Sequence, residues 1–227
     1  MNAHGEFFNM IRTLVAVGGF SSEVGKTTLV CELLRHLPGW EAIKVTRGHY
    51  RSCGKDPHAC CVSHLLGDVP LVRSGRRETY APDKDTGRYW DAGAANVHWV
   101  IATDAQVEEG VRLALERVNA PGVLIEGNSF LDSVEVDFAL MVARAAGGKI
   151  KPSARRALRK SSALYLFEDA AEPGGERERF APWLRQAADR ELIEALPVYT
   201  REELPALVER VSRDPARSRI GGGRFTL

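Results

Sequence analysis

The sequence has little that would tie it to a membrane. The apolar run from Leu14 to Val17 is cut short by Gly18-Gly19, and Met1 to Met10 is mixed polar and aromatic, so neither a spanning helix nor a signal-peptide core fits. Charge of one sign is also lacking. There are 31 Lys and Arg against 30 Asp and Glu, a formal net charge of +1, and this excludes a global field that would draw in nucleic acid or an anionic membrane. Any basic partner surface must be local. Cysteine is scarce, four residues in all, which argues against a structural disulfide framework. There is no internal repeat and no low-complexity segment. A cytoplasmic chain with no membrane or nucleic-acid partner is the expectation.

What is present is an ordinary globular composition, 44% hydrophobic and 27% charged, enough to close a sizeable core. Arg12 to Val17 is a short β-branched run ending in two glycines. Thr28 to Leu37 then carries apolar residues at Leu29, Val30, Leu33, Leu34 and Leu37, which is helical spacing. Pro38-Gly39 stops that helix, and Ala42 to Thr46 resumes as a strand. Residues 47–82 have no sustained period, hold most of the cysteine, and read as an inserted functional loop. Regular alternation follows: a helix from about Asp85 to Ala95, strand Val97 to Ala102, helix Asp104 to Val118, strands Val123 to Glu126 and Phe138 to Ala143, helix Ser153 to Lys160 and strand Leu164 to Phe167. Beyond a charged link at Glu172 to Arg179 come an amphipathic stretch from Ala181 to Leu196, a strand at Pro197 to Thr200 and a last helix from Glu202 to Ser212. The pattern predicts a three-layer α/β fold, a mainly parallel sheet with helices on both faces. One domain over residues 1–213, with a flexible tail over 214–227, is the expectation.

The decisive stretch is Gly18-Gly19-Phe20-Ser21-Ser22-Glu23-Val24-Gly25-Lys26-Thr27-Thr28, between a strand and a helix. Backbone N–H groups of such a loop converge on an anion, and the helix N-terminus adds its positive dipole end. Gly25 lets the backbone approach phosphate without a Cβ. Lys26 supplies a cation for terminal phosphates, and the Thr27 hydroxyl can enter an octahedral Mg²⁺ shell. The binding residues so predicted are Gly19, Ser22, Glu23, Val24, Gly25, Lys26, Thr27 and Thr28. At Val123-Leu124-Ile125-Glu126-Gly127 an apolar strand ends in a carboxylate, which places Glu126 at the edge of the sheet beside that loop, able to hold Mg²⁺ or position water.

The position five before Gly25 is Phe20, and the nearest glycine is Gly19, one residue earlier. This spacing resembles the loop of dethiobiotin synthetase, G-x-x-x-E-V-G-K-T, which Gly19 through Thr27 reproduce. A wider resemblance is to the molybdopterin-guanine dinucleotide biosynthesis protein B family (MobB), of the SIMIBI class of P-loop NTPases. It is carried by that loop, by Ala42-Ile43-Lys44-Val45-Thr46 with His49 after it, and by Asp83-Lys84-Asp85-Thr86 with Arg88 and Asp91-Ala92-Gly93-Ala94. Ile125-Glu126-Gly127 and Leu196-Pro197-Val198-Tyr199 complete it. The resemblance implies a P-loop NTPase that binds GTP, hydrolyses it slowly, is often a homodimer, and serves attachment of a nucleotide to the molybdenum cofactor. A pterin cofactor or a metalloenzyme would be its client. By the same resemblance Lys26, Thr27 and Glu126 serve the triphosphate and Mg²⁺, Asp85 and Thr86 lie close to metal and phosphates, and Lys44 lines the cleft. No Asn-Lys-x-Asp guanine motif is present, so GTP and ATP stay undistinguished. No arginine is identifiable as a transition-state stabiliser, so unaided hydrolysis is expected to be slow.

Residues Arg51 to Ala81 are an insertion relative to that family, with Cys53, His58, Cys60, Cys61 and His64 as candidate ligands for Zn²⁺ or another transition metal. His58-Ala59-Cys60-Cys61 is similar to the C-x-C-C element of metallochaperone GTPases related to cobalamin-synthesis protein W, with histidine for the first cysteine. The alternative is a loop of free, reduced thiols. Arg73, Arg76 and Arg77 are candidates to clamp an anion, or face solvent. Arg144 to Lys160, with Lys149, Lys151, Arg155, Arg156, Arg159, Lys160 and no acid, reads either as a ligand-binding lip or as a solvated basic helix. Four functions therefore stand: a MobB-like NTPase, a metal-delivery GTPase, an ATP-dependent ligase like dethiobiotin synthetase, and a regulatory module that binds nucleotide without turnover.

Overall fold

The computed structural model describes residues 13–48, 62–144, 150–167, 175–187 and 196–213. Eight strands form one sheet in the order β3-β4-β2-β5-β1-β6-β7-β8. They are β1 (Thr13–Gly19), β2 (Glu41–Arg47), β3 (Leu71–Ser74), β4 (Val97–Ala102), β5 (Gly122–Glu126), β6 (Phe138–Arg144), β7 (Ala163–Phe167) and β8 (Val198–Tyr199). All neighbours run parallel except β3, which lies antiparallel on β4 at the edge. The expected three-layer α/β architecture is therefore present.

Helices cover both faces because successive strand residues point to opposite sides. On one face Val15, Val17, Ala42 and Leu124 pack with α1 (Lys26–His36), with Tyr89 of α3 (Asp85–Asp91) and with Leu207 and Val211 of α7 (Leu204–Ser212). On the other, Ala16, Ile43, Val123 and Ile125 pack with α4 (Val107–Leu115), α5 (Pro152–Leu158) and α6 (Glu176–Ala187). The residues of α1 that meet the sheet include Leu29, Val30, Leu33 and Leu34, the stripe its spacing predicts.

Two differences from the sequence reading have physical causes. The span read as an aperiodic insertion, 47–82, contributes β3, the one-turn helix α2 (Arg76–Thr79) and a turn at Ser63–Leu65. A four-residue edge strand is too short to show a period. The link read at Glu172 to Arg179 instead starts α6 at Glu176, and Phe180 and Leu184 bury its inner side. No helix among the described residues is long and apolar enough to cross a membrane.

Candidate functional site

β1 lies at the centre of the sheet with β5 on one side and β6 on the other, so the chain winds away from it in both directions. Ligands of open α/β sheets sit at such a switch point, beyond the carboxyl ends of the strands. The loop between β1 and α1 occupies that place. Gly25, immediately before α1, has φ +100°, and a Cβ there would stand 2.6 Å from the Phe167 ring, so both conformation and space require glycine. Glu23 also has positive φ, at 59°, an uncommon conformation for a residue with a side chain. Its carbonyl accepts from the Arg144 guanidinium at 3.3 Å, which holds the bend. Phe20, the residue that breaks the usual glycine spacing, is buried and meets Phe180 edge to face at 6.0 Å. The phenyl ring anchors the base of the loop in the core.

The polar side chains converge on Glu126, which is 2% exposed. Thr27 Oγ1 donates to Glu126 Oε2 at 2.8 Å, Lys44 Nζ pairs with Glu126 Oε1 at 2.5 Å, and the Tyr89 hydroxyl also donates to Oε2. Lys44 Nζ lies 2.5 Å from Asp85 Oδ2 as well, so one ammonium bridges two carboxylates. Register explains the Lys44–Glu126 contact, since the two residues are partners across β2 and β5 and point to the same face. Helix spacing explains the other two. Asp85 and Tyr89 are four residues apart on α3 and share the face turned to the strand ends. Gly87, on the same helix, sits so close to the Ala81 carbonyl oxygen that a Cβ would overlap it, which seats α3 tightly on the chain before it.

Electrostatics follow from this packing. Burial is the largest influence on the Lys44 ammonium and pulls its pKa down, but Glu126 and Asp85 outweigh it and the net direction is up. Burial pushes the Asp85 carboxyl up, yet Lys44 beside it prevails and holds it below the usual value. Tyr89 is pushed well up, by burial first and by Glu126 second, so it stays a neutral donor. Lys26 is shifted down by burial, with Glu126 opposing and Lys44 and Lys151 reinforcing. Its ammonium rests on the Ser21 carbonyl at 3.3 Å.

Of the residues expected from sequence, Thr27, Lys44, Asp85 and Glu126 form one connected cluster, with Lys26 at its rim. Gly19 lies at the end of β1, where its N–H donates to Asn128 Oδ1 and its carbonyl accepts from Asn128 Nδ2, both at 2.8 Å. Ser22, Glu23, Val24 and Gly25 form the bend, and Thr28 accepts from Arg88 at 3.3 Å. Thr86 is buried, but on a helix face different from that of Asp85 and Tyr89. Tyr89 and Asn128 were not singled out for the site. The i, i+4 spacing of Asp85 and Tyr89 was the available signal for the first.

The candidate transition-metal ligands Cys53, His58, Cys60 and Cys61 lie outside the described residues. His64 is exposed in the short turn Ser63–Leu65. Among the described residues no group of three or more His, Cys, Asp or Glu is arranged to hold a metal ion. Arg73 and Arg76 stack on aromatic rings, Trp99 for the first and Tyr80 and Trp90 for the second, and so do not converge on one anion. His98, read as a packing residue, is fully buried. Its Nε2 meets Glu41 Oε2 at 2.7 Å and its Nδ1 meets Ser74 Oγ at 2.8 Å. This brace sits near the amino ends of β2 and β4, whereas the loop follows the carboxyl end of β1.

The strand order, the glycine-hinged loop after the central strand and the hydroxyl–carboxylate cluster beside it define a three-layer α/β P-loop NTPase fold. No family model matches the chain, and no curated protein matches it by sequence. Among solved structures it is similar to HypB from Helicobacter pylori, determined in complex with nickel, at a TM-score of 0.50 and 10% identity over 97% of this chain and 93% of that one. LpxK from Aquifex aeolicus, determined with ATP, matches at 0.41 with 20% identity over 68% of this chain and 47% of that one. A Zn(II)-bound triple mutant of the YjiA GTPase matches at 0.42 with 14% identity over 84% and 58%. The likeness to HypB is one of fold, and the two lower scores add no weight to it.

Proposed function

We propose that this chain binds a Mg²⁺ complex of GTP or ATP at the loop Gly19–Thr28 and hydrolyses it slowly, in a MobB-like role in molybdenum-cofactor maturation. The observation that carries the nucleotide reading is the convergence of Thr27, Asp85 and Glu126 beside Lys26 at the switch point of the sheet. The MobB-like role rests on the ordered sequence motifs, with a pterin or metalloenzyme client, a homodimer and a cytoplasmic setting as parts of the same proposal.

The donor set fits the metal. Thr27 supplies a hydroxyl, and Glu126 and Asp85 supply carboxylates, all hard oxygen donors of the kind Mg²⁺ takes. When bound, the ion would neutralise phosphate oxygens. The same two carboxylates are held by Lys44, so the ammonium and a divalent cation compete for them. Lys26, lowered by burial, regains its preference for the charged form next to a polyphosphate, because an adjacent anion favours the ammonium. Tyr89 and Thr27 both hold Oε2 of the Glu126 carboxylate, and Lys44 holds Oε1.

The test is Lys26→Ala, titrated with Mg-GTP and Mg-ATP by calorimetry alongside the parent protein. The expected result is loss of triphosphate binding with an unchanged thermal transition. Unchanged binding would remove the phosphate-loop reading.

A second reading, a metal-delivery GTPase, is favoured by the density of Cys53, His58, Cys60, Cys61 and His64 in the sequence. Purified protein would then carry near-stoichiometric zinc or another transition metal, lost in Cys60→Ser and Cys61→Ser. Elemental analysis showing none would eliminate it.

A further inference from the structure

The basic run Arg144 to Lys160 divides in the structure. Arg156 pairs with Asp132, and Lys160 donates to the carbonyls of Leu131 and Asp132, so these two brace the turn after β5. Lys151 turns the other way, to the phosphate loop, and donates from Nζ to Ser22 Oγ at 2.6 Å.

Its position is fixed by backbone as well as side chain. β6 runs beside β1 with Val142 opposite Gly19, and Phe20 N–H donates to the Val142 carbonyl at 3.1 Å. The Lys151 N–H then donates to the Phe20 carbonyl at 3.0 Å. A lysine whose own peptide is bonded to the loop keeps its ammonium within reach of it.

Lys151 and Lys26 rest on neighbouring residues of one loop, the first on the Ser22 hydroxyl and the second on the Ser21 carbonyl. Among the described residues neither ammonium is paired with a carboxylate, whereas Lys44 is paired with two. The field of Lys151 is among the influences that lower Lys26, after burial and alongside Lys44. Two cations held close together on neutral oxygens repel one another, and an anion between them would relieve the repulsion.

We infer that Lys151 is a second lysine, beside Lys26, for the terminal phosphate of the nucleotide, supplied from outside the loop. The inference rests on the nucleotide reading above and deepens it. Because the Lys26 and Lys151 ammoniums share one end of the loop, Lys151 favours a triphosphate over a diphosphate. The exchange is one of partners: the ammonium leaves the Ser22 hydroxyl for a phosphate oxygen, a charged acceptor that makes the stronger bond.

The experiment measures affinity for a non-hydrolysable triphosphate analogue and for the matching diphosphate in the parent, Lys151→Gln, Lys151→Arg and Lys26→Ala. Lys151→Gln is expected to weaken the triphosphate analogue about tenfold, the size of one charge-assisted bond, and the diphosphate less than about threefold. Lys151→Arg is expected to retain most of the triphosphate affinity. Lys151 is exposed, so both variants are expected to fold, and thermal melts check this. Equal triphosphate affinity in Lys151→Gln, or equal loss of both nucleotides, would overturn the inference and leave Lys151 a brace of the loop. A parent that binds neither nucleotide, or a Lys26→Ala variant that binds like the parent, overturns the phosphate-loop reading itself.

Discussion

Lys44 and Glu126 stand opposite one another on β2 and β5, and their side chains meet at 2.5 Å at the carboxyl end of β5. The pair links the strand that follows the phosphate loop's helix to the strand beside β1. Both groups are withdrawn from water, Glu126 almost completely, so removal of either charge leaves the other uncompensated.

Glu126→Gln therefore probes the proposed Mg²⁺ site directly. The amide keeps the shape but takes one negative charge away from Lys44, Thr27 and Tyr89. Triphosphate affinity in Mg²⁺ is expected to fall to the level that the parent shows in EDTA. Single-turnover hydrolysis is expected to fall by about 100-fold. The same Mg²⁺ dependence in variant and parent would remove Glu126 from the proposed Mg²⁺ site.

His98→Ala tests whether the buried group near the amino ends of β2 and β4 is structural. The variant leaves Glu41 Oε2 and Ser74 Oγ without the imidazole and opens a cavity, at a cost of about 3 kcal/mol in urea denaturation. Nucleotide affinity is expected to stay within about twofold. A large change in affinity with an unmoved denaturation midpoint would reverse the assignment.

A pH experiment isolates the contact between α6 and the start of α7. Glu203 bonds to the Arg177 guanidinium, and this partner above all lowers its pKa below the ordinary 4.5. A depressed carboxyl stabilises the fold fully above its unfolded value and loses that contribution as pH falls through the folded one. The parent is thus expected to be more stable than Glu203→Gln at pH 7, with the difference closing as pH drops below 4.5. A difference that persists at pH 3 would show that charge is not its source.

How much was legible in the sequence depended on distance along the chain. The phosphate loop, α1 and the strand ending in Glu126 are local patterns, and each lies within a few residues of its expected limits. β3 was hidden because four residues on a sheet edge carry no period, and the pairing of Leu71–Ser74 with β4 is decided by tertiary contact. Lys44 was legible as a cleft residue, but its bridge to Asp85 and Glu126 depends on strand register and on how α3 is seated. Tyr89 was read as packing. Its ring does pack, and only its hydroxyl, reaching a carboxylate thirty-seven positions away, belongs to the site. For the cysteine and histidine segment the comparison cannot be drawn, since Cys53, His58, Cys60 and Cys61 lie outside the described residues.

Asn128 gives the last strand peptide of β1 both the acceptor and the donor that another strand would otherwise provide. It stands two positions beyond Glu126, so the strand end that carries the carboxylate is tied by two hydrogen bonds to the root of the loop. A residue at 128 without an amide would leave both the N–H and the carbonyl of Gly19, where the loop begins, without these partners.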